Sequence, residues 1–169
     1  CLACPRGKYS DEAGSIAAAN CSACPVGSYG NTTSLGASNL CLSCAAGKFS
    51  EATGQTSVET CTPCATGKYY QSQRLGSATG CNACGPGLFS QQMGLVAESE
   101  CDACLRGYYC EGDTKIHPCP PGTTSDPGTN ASAACECLPG FFSQVHAGGR
   151  ACVACPRDHV CSGGSAPAT

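Results

Sequence analysis

A cysteine recurs every 20 residues through the first 101 residues, and this period constrains the fold more than any other feature of the chain. A second cysteine follows three residues after the first in every repeat. We number the positions of each repeat from its first cysteine, so that repeat 1 begins at Cys1 and repeat 6 at Cys101. The paired cysteines are Cys1/Cys4, Cys21/Cys24, Cys41/Cys44, Cys61/Cys64, Cys81/Cys84 and Cys101/Cys104. A period that does not drift indicates a tandem array whose units contact mainly their neighbours.

Two further positions carry the same kind of residue in all six repeats. Position 7 is always glycine and position 9 is always tyrosine or phenylalanine, as at Gly7 and Tyr9. Because glycine adopts positive φ angles, the segment after the second cysteine predicts a turn, and the aromatic residue predicts a short extended stretch that covers a disulfide. The small polar stretch that follows is typical of a hairpin loop. The predicted fold class is small, disulfide-rich and mostly irregular with short β-hairpins, an elongated tandem-repeat rod with little helix.

The chain lacks the side chains of an ordinary hydrophobic core. It has 19 cysteines among 169 residues but no tryptophan, one methionine and four phenylalanines. A disulfide that closes a loop of this size stabilises a fold by about 3 kcal/mol, mainly by restricting the unfolded chain. We therefore predict that disulfides hold the fold. Since disulfides persist in oxidising compartments, we expect a secreted or cell-surface protein.

The charge and hydropathy patterns argue against nucleic-acid binding and against a membrane-spanning helix in this segment. The net charge is −3 and no basic patch occurs, so we expect no nucleic-acid partner. No apolar run approaches the length of a membrane-spanning helix, so we expect no membrane span in this segment. The chain begins at Cys1 and carries no signal peptide, so we interpret it as a processed product or a segment of a longer protein.

One pairing scheme accounts for all but one of the 19 cysteines. It joins the second cysteine of each repeat to the first cysteine of the next, and it leaves Cys1 to a preceding unit. A rival for the irregular region is Cys104–Cys119 with Cys110 free. The scheme predicts Cys4–Cys21, Cys24–Cys41, Cys44–Cys61, Cys64–Cys81, Cys84–Cys101, Cys104–Cys110, Cys119–Cys135, Cys137–Cys152 and Cys155–Cys161.

Zinc is the main alternative use of the cysteines, because C-x2-C-x16-C-x2-C is also zinc-ribbon spacing. Zinc would take the repeats in pairs, through sets such as Cys1, Cys4, Cys21 and Cys24, and paired use would impose a 40-residue period. The repeats look equivalent at 20 residues instead. A redox role for the C-x2-C pairs would need a βαβ context, which the sequence lacks. We predict no metal and no cofactor.

No catalytic pattern is present. The three histidines, His117, His146 and His159, are scattered without a partner pattern, and we expect them at the surface. Asp11-Glu12 and Glu111/Asp113 lack the spacing of a calcium loop, so we expect solvated side chains there. We predict that the chain is not an enzyme.

The regular period divides the chain. Residues 1–103 hold five regular repeats and the start of a sixth, residues 104–161 hold irregular repeats of the same type, and residues 162–169 resemble a linker. Three N-glycosylation sequons occur, at Asn31, at Asn130 and at Asn20, where the middle residue of the sequon is Cys21. We predict covalent glycans at Asn31 and Asn130, with Asn20 a weaker candidate.

The motif Cys-Pro-x-Gly-x-Tyr-Ser of Cys4–Ser10, followed by Cys-x2-Cys, resembles the cysteine-rich repeats of ephrin receptors and tumour-necrosis-factor receptors. Similar long arrays occur in surface proteins of algae and other protists, including flagellar-hair (mastigoneme) proteins. The resemblance covers residues 1–161 and implies an extracellular disulfide module. Receptor modules usually vary and carry larger charged loops, whereas these repeats have equal length and small polar loops.

These patterns lead to two hypotheses about function. The first is a structural extracellular protein that self-associates into a surface fibril, stalk or filament, since one surface repeated many times suits assembly. The second is a receptor or adhesion ectodomain that binds a protein or glycan ligand. A binding module should present one unusual repeat, and the candidate is the irregular stretch Tyr108–His117.

Overall fold

The computed structural model describes residues 3–12, 20–112, 114–146 and 149–164. These residues form successive two-stranded antiparallel hairpins and divide into two compact units. The first unit comprises Cys1–Ala83 with Ser90–Glu100, and the second comprises Cys84–Phe89 with Cys101–Thr169. The predicted disulfide-rich fold with short hairpins and little helix is confirmed.

The first unit contains four hairpins of two-residue strands. Each pairs consecutive strands in order, β1 with β2 through β7 with β8. The strands are β1 (Lys8–Tyr9), β2 (Ser22–Ala23), β3 (Ser28–Tyr29), β4 (Leu42–Ser43), β5 (Lys48–Phe49), β6 (Thr62–Pro63), β7 (Lys68–Tyr69) and β8 (Asn82–Ala83).

The second unit contains four more hairpins, of which the last is longer. Strands again pair consecutively, β9 with β10 through β15 with β16. The strands are β9 (Leu88–Phe89), β10 (Asp102–Ala103), β11 (Tyr108–Tyr109), β12 (His117–Pro118), β13 (Thr123–Thr124), β14 (Glu136–Cys137), β15 (Phe141–His146) and β16 (Gly149–Ala154).

Repeat 3 shows why the strands are short. The turn before β5 places Gly47 at φ +75°, and the amide of Lys48 donates to the Ala45 carbonyl at 3.1 Å. Lys48 and Phe49 then pair with β6. The amide of the next residue, Ser50, donates to the carbonyl of Leu75 in repeat 4, so the pairing of β5 with β6 ends at Phe49. Each strand therefore ends where the chain turns to the following repeat.

Helical structure in the described ranges consists of three-residue 3₁₀ turns that lead into a disulfide cysteine. In the turn Val58–Thr60, the amide of the following Cys61 donates to the Val58 carbonyl at 3.0 Å. The sequence predicts one helical turn at most at Glu98–Glu100 or at Gly14–Asn20, and Glu98–Glu100 forms a 3₁₀ turn. The other expected turn, Gly14–Asn20, lies outside the described residues except for Asn20. The remaining 3₁₀ turns are Ser38–Leu40, Ala78–Gly80 and Ser132–Ala134.

Disulfides with one or two apolar side chains form the core of each unit. In the first unit, Leu75 lies against the buried Cys64 and Cys81, and Phe49 and Tyr70 pack on this cluster. In the second unit, Phe89 lies against the buried Cys104 and Cys110, and Ile116 packs beside them. The aromatic residue of the repeat thus packs against a disulfide, as the sequence predicts, and Phe49 packs on the disulfide of the following repeat.

Three backbone hydrogen bonds join each of repeats 1, 2 and 3 to the next repeat, and two of the three recur between repeats 4 and 5; we call them the inter-repeat ladder. Between repeats 3 and 4 they are Gly47 N to Tyr70 O at 2.8 Å, Ser50 N to Leu75 O at 3.1 Å and Arg74 N to Cys44 O at 3.0 Å. In repeat positions, the amide of position 7 donates to the carbonyl of position 10 in the next repeat, and the amide of position 10 donates to the carbonyl of position 15 there. In the opposite direction, the amide of position 14 in the next repeat donates to the carbonyl of position 4. The same bonds occur at Gly7–Gly30, Gly27–Ser50, Ser10–Leu35, Gly30–Gln55, Tyr70–Leu95, Ser34–Cys4, Gly54–Cys24 and Gly94–Cys64.

Candidate functional site

The described residues contain nine disulfides, and these form the framework that carries every loop. Their Cα–Cα distances run from 5.5 to 6.1 Å, within the usual range. Cys104 is bonded to Cys110, and Cys119 is bonded to Cys135; Cys1 lies outside the described residues. The pairs are Cys4–Cys21, Cys24–Cys41, Cys44–Cys61, Cys64–Cys81, Cys84–Cys101, Cys104–Cys110, Cys119–Cys135, Cys137–Cys152 and Cys155–Cys161.

The zinc alternative conflicts with these bonds. Cys4, Cys21 and Cys24 all lie in disulfides, so their sulfurs are not the thiolates that zinc requires. In the part of the chain that the structure describes, no group of three or more histidine, cysteine, aspartate or glutamate side chains could hold a metal ion.

All three candidate glycosylation residues are exposed. Asn31 and Asn130 lie in loops that carry no strand, and Asn20 directly precedes the disulfide-bonded Cys21. Asn31 stands at position 11 of repeat 2, next to the two threonines that complete its sequon. Each asparagine side chain is therefore accessible to solvent, where a glycan could be attached. Of the three, Asn20 is the one that directly precedes a disulfide-bonded cysteine.

Position 11 has a role that the sequence does not reveal. Asp11 Oδ1 accepts from the amide of Ser38 at 3.4 Å, and Glu51 Oε1 accepts from the amide of Ala78 at 3.0 Å. In both cases the carboxylate binds the first residue of the 3₁₀ turn in the next repeat. Asp11 is exposed, as expected for a solvated acid, but it also joins two repeats.

Position 15 is a leucine in repeats 2, 4 and 5, and its side chain packs between repeats. Leu75 and Leu95 are buried, with 8% and 5% of their surface exposed. The backbone at this position also forms a parallel bridge with position 9 of the preceding repeat, as between Phe49 and Leu75. Sequence reasoning missed this role, although a signal was present because leucine recurs at Leu35, Leu75 and Leu95.

Arg74 makes further contacts across the same boundary. Its Nη2 donates to the Cys41 carbonyl at 3.2 Å, and its Nε donates to Ser43 Oγ at 3.2 Å. Its φ is +62°, in the left-handed region that glycine occupies at position 14 of repeats 3 and 5. The arginine therefore keeps a costly backbone conformation while its side chain binds the preceding repeat.

Glu59, unlike Asp11 and Glu51, takes part in the turn of its own repeat. The Ser57 hydroxyl donates to the Glu59 carboxylate at the start of a 3₁₀ turn. This hydrogen bond lowers the pKa of Glu59, because it favours the charged form. The carboxylate is fully exposed, so its role is confined to the turn.

The described histidine side chains do not converge on a site. The ring of His117 stacks on Tyr109 with centroids 5.2 Å apart, and His117 is half-buried rather than fully exposed. His159 is exposed, and its Nδ1 lies 3.1 Å from the Arg157 carbonyl oxygen. The side chain of His146 lies outside the described set.

One open concavity lies in the second unit, with a volume of about 770 Å³. None of its lining residues is ionisable, and its cysteines are in disulfides. It therefore offers no acid, base or thiolate for catalysis. The lining consists of Pro120, Pro121, Thr123, Ser132, Ala133, Cys135, Ala151 and Cys152.

Comparison with known families gives one match. The model of the tyrosine-protein kinase ephrin type A/B receptor-like family matches residues 1–40, which are repeats 1 and 2. No curated protein matches the chain. Within the described ranges, no helix has both the length and the apolar character needed to cross a membrane.

These findings define a class of protein. The regular disulfides and the family match support a cysteine-rich repeat array, in which residues 1–40 are similar to the ephrin-receptor-like family. The high disulfide content, together with this receptor-like match, indicates an extracellular location.

Proposed function

We propose that this chain is a structural extracellular repeat protein, a component of a surface fibril, stalk or filament that self-associates and carries covalent glycans. The supporting observation is the inter-repeat ladder, whose bonds recur between consecutive repeats of the first unit. Repeats that stack in one way present the same loops at regular intervals. A surface repeated in this manner suits assembly into an open, extended array.

The chemistry of the exposed loops supports the same proposal. Only 12% of the residues are charged, and loop residues such as Asn31, Thr32 and Thr33 are small, polar and exposed. A ligand-binding surface usually concentrates aromatic and arginine side chains in one place. Loops with few charged residues and scattered apolar ones fit a structural array better than a dedicated binding site.

Native material from the cell surface tests the proposal directly. Negative-stain electron microscopy should show this chain, located with an antibody, along fibrils or stalks. In parallel, the chain secreted with its disulfides intact should form concentration-dependent oligomers in analytical ultracentrifugation. Isolated monomers at all concentrations, together with a tight soluble ligand, would contradict the structural role.

The alternative is a receptor or adhesion ectodomain that binds a protein or glycan. It is favoured by exposed apolar side chains near the first irregular turn, where Leu105 is 48% exposed and Tyr108 is 36% exposed. Under this alternative, Tyr108→Ala should abolish capture of the ligand while self-association stays unchanged. Surface plasmon resonance against candidate ligands, with Val58→Ala as the matched control at another exposed apolar residue, separates the two functions.

Glycosylation is a separate part of the proposal. We expect N-glycans at Asn31 and Asn130 when the chain passes through a eukaryotic secretory pathway, because both residues are exposed in loops. We expect low occupancy at Asn20, because Cys21 must form its disulfide with Cys4. Peptide mass spectrometry after enzymatic deglycosylation in H₂¹⁸O measures the occupancy of each site.

The variants Asn31→Gln and Asn130→Gln should each remove one glycan from the intact mass. Asn39→Gln serves as the control, since Asn39 is exposed but has no sequon. An unmodified secreted chain would contradict this part of the proposal and leave the structural role standing. We further propose that the chain has no enzymatic activity, no cofactor and no nucleic-acid partner.

A further inference from the structure

We propose a mechanical function for the first unit, in which its disulfides carry tension along the array with almost no change in length. The path of the tension consists of the disulfides from Cys4–Cys21 to Cys64–Cys81 and of the C-x2-C segments that join them. We call this path the covalent spine. The inference deepens the structural role proposed above and rests on it, because a stalk or fibril at a cell surface transmits pulling forces.

A pulling force follows the shortest covalent route through the chain. Each disulfide of the spine joins two residues that are 17 positions apart in the sequence, and it holds their Cα atoms 5.7 or 5.9 Å apart. The force therefore crosses the disulfide, and the residues between its two cysteines bear none of it. From one disulfide to the next the chain advances by only a short segment, such as Cys61–Cys64.

The segments between the disulfides are already extended in the folded structure. The two residues between paired cysteines form a β-strand, as in β6, Thr62–Pro63. The residue before this strand, Cys61, has φ −81° and ψ 104°, which is also extended backbone. The strand pairs with β5, and the amide of Cys64 donates to the Gly47 carbonyl at 2.8 Å. The covalent spine therefore stores almost no folded length that tension could pull out.

The covalent spine limits the length that one repeat can reach. The segment from Cys61 to Cys64 spans about 10 Å when it is fully extended. The disulfide adds at most 5.9 Å between its Cα atoms, so an oxidised repeat reaches about 17 Å. Without its disulfide, the same repeat extends to about 70 Å, so opening one disulfide releases about 55 Å of chain.

The sulfur atoms of the spine are shielded from solvent. Cys24, Cys44 and Cys64 are fully buried, and Cys41 and Cys61 are only 2% and 4% exposed. A thiol opens a disulfide only when its thiolate reaches one of the two sulfur atoms. Burial therefore protects the bonds that carry the tension from thiols in the surroundings.

The loops of the repeats provide this shield. Leu75 comes from the loop that the Cys64–Cys81 disulfide closes, and it packs on both cysteines. Phe49 of the preceding repeat packs on the same cluster. The inter-repeat ladder holds each loop against the preceding repeat. The loops thus bear no tension themselves, but they cover the disulfides that do.

Single-molecule force spectroscopy measures the length of the spine. The full chain, secreted with its disulfides intact, is held between two handles and stretched before and after treatment with a phosphine reductant in urea. The oxidised chain should show no length gain as large as about 55 Å, whereas each spine disulfide that is reduced should add about 55 Å to the stretched length. Gains of that size in the oxidised chain would overturn the proposal.

Two insertions of the same flexible segment show which parts of the chain bear the tension. Insertion of about ten residues after the exposed Ala52, inside the Cys44–Cys61 loop, should leave the oxidised length unchanged and add about 35 Å only after reduction. The matched control is insertion after the exposed Thr114, between the disulfides Cys104–Cys110 and Cys119–Cys135. It should add about 35 Å to the oxidised chain at once. An insertion after Ala52 that lengthens the oxidised chain would contradict the covalent spine.

The outcomes separate the covalent spine from the proposed self-association, because the stretched length is a property of one chain. Oligomers in analytical ultracentrifugation together with long extensions of the oxidised chain would overturn the spine and leave self-association intact. A short oxidised length in a chain that stays monomeric at every concentration would support the spine and overturn self-association. A short oxidised length in a chain that forms oligomers would support both.

Discussion

At the scale of single residues, position 7 and position 14 decide how closely the repeats can approach each other. Gly47 has φ +75° and its backbone faces the carbonyl of Gly94, so the missing side chain makes room for another part of the array. Arg74 takes the same region of φ without being glycine and binds the preceding repeat through its guanidinium. Both positions act through contacts between repeats, and both can be tested by substitution.

Replacing the position 7 glycine should destabilise the first unit. Gly47→Ala adds a methyl group that overlaps the Gly94 carbonyl, and it imposes a positive φ on alanine, so we expect a loss of about 2 kcal/mol or more. Urea unfolding followed by circular dichroism measures the change. Gly36→Ala should leave the midpoint unchanged, because no atom lies within 4 Å of the added Cβ. Equal midpoints for the two variants would refute this account of position 7.

Arg74 offers a comparison between side-chain bonding and backbone strain. Arg74→Ala removes the bonds to Cys41 and Ser43 and keeps an unfavourable φ, so we expect a loss of about 1 kcal/mol. Arg74→Gly removes the same bonds but relieves the strain, which is worth about 1 kcal/mol, so its stability should be close to wild type. Thermal unfolding compares the two variants. An Arg74→Gly variant that is less stable than Arg74→Ala would contradict the backbone strain assigned to Arg74.

At the scale of elements, a two-residue hairpin has little stability of its own, and each one here depends on a disulfide and on the following loop. The cluster of Cys64, Leu75 and Cys81 shows the arrangement, since Leu75 comes from the loop and the cysteines flank the strands. The leucine at position 15 therefore packs against the disulfide, and the cysteines beside the hairpin strands hold that disulfide in place. We call this leucine the apolar anchor of the repeat. The loop leucine and the strand aromatics Phe49 and Phe89 therefore both pack against the disulfides.

Truncating this anchor should be costly. Leu75→Ala leaves a cavity beside the Cys64–Cys81 disulfide, and we expect a loss of about 2–4 kcal/mol. Val58→Ala, at a side chain that is 46% exposed, should lose much less. Differential scanning calorimetry of the two variants and the wild type provides the comparison. A loss of similar size in both variants would show that the loop leucine does not anchor the repeat.

At the scale of the whole molecule, covalent cross-links take the place of a large apolar core. The described residues hold nine disulfides, and the buried apolar residues besides cysteine are few. Chains of this kind lose their fold when the cross-links are removed, because the unfolded state regains its conformational entropy. Metal chelation should have no such effect, since the cysteines are not ligands.

Reduction and chelation should therefore give opposite results. A phosphine reductant should collapse the dispersion of the amide NMR spectrum, whereas EDTA should leave the spectrum unchanged. Intact mass before and after alkylation counts the free thiols in each sample and serves as the control for complete reduction. A fold that survives full reduction, or one that EDTA unfolds, would contradict the disulfide framework.

Local chemistry made most of the fold predictable from the sequence. The cysteine period fixed the repeat length, Gly47 and its equivalents marked the turns, and the short polar segments marked the loops, because each of these preferences acts within a few residues. The turn at Glu98–Glu100 was predictable for the same reason. The candidate glycosylation residues Asn31 and Asn130 also follow from a local motif.

The tertiary structure alone decided which repeats meet and through which groups. The roles of Asp11, Leu75 and Arg74 depend on atoms of an adjacent repeat, from 27 to 33 residues away in the sequence for Asp11 and Arg74. No local preference encodes such distances, because they result from the stacking of one disulfide-bonded hairpin on the next. The sequence by itself determined a disulfide-rich array of short hairpins, and the stacking of those hairpins determined the inter-repeat ladder.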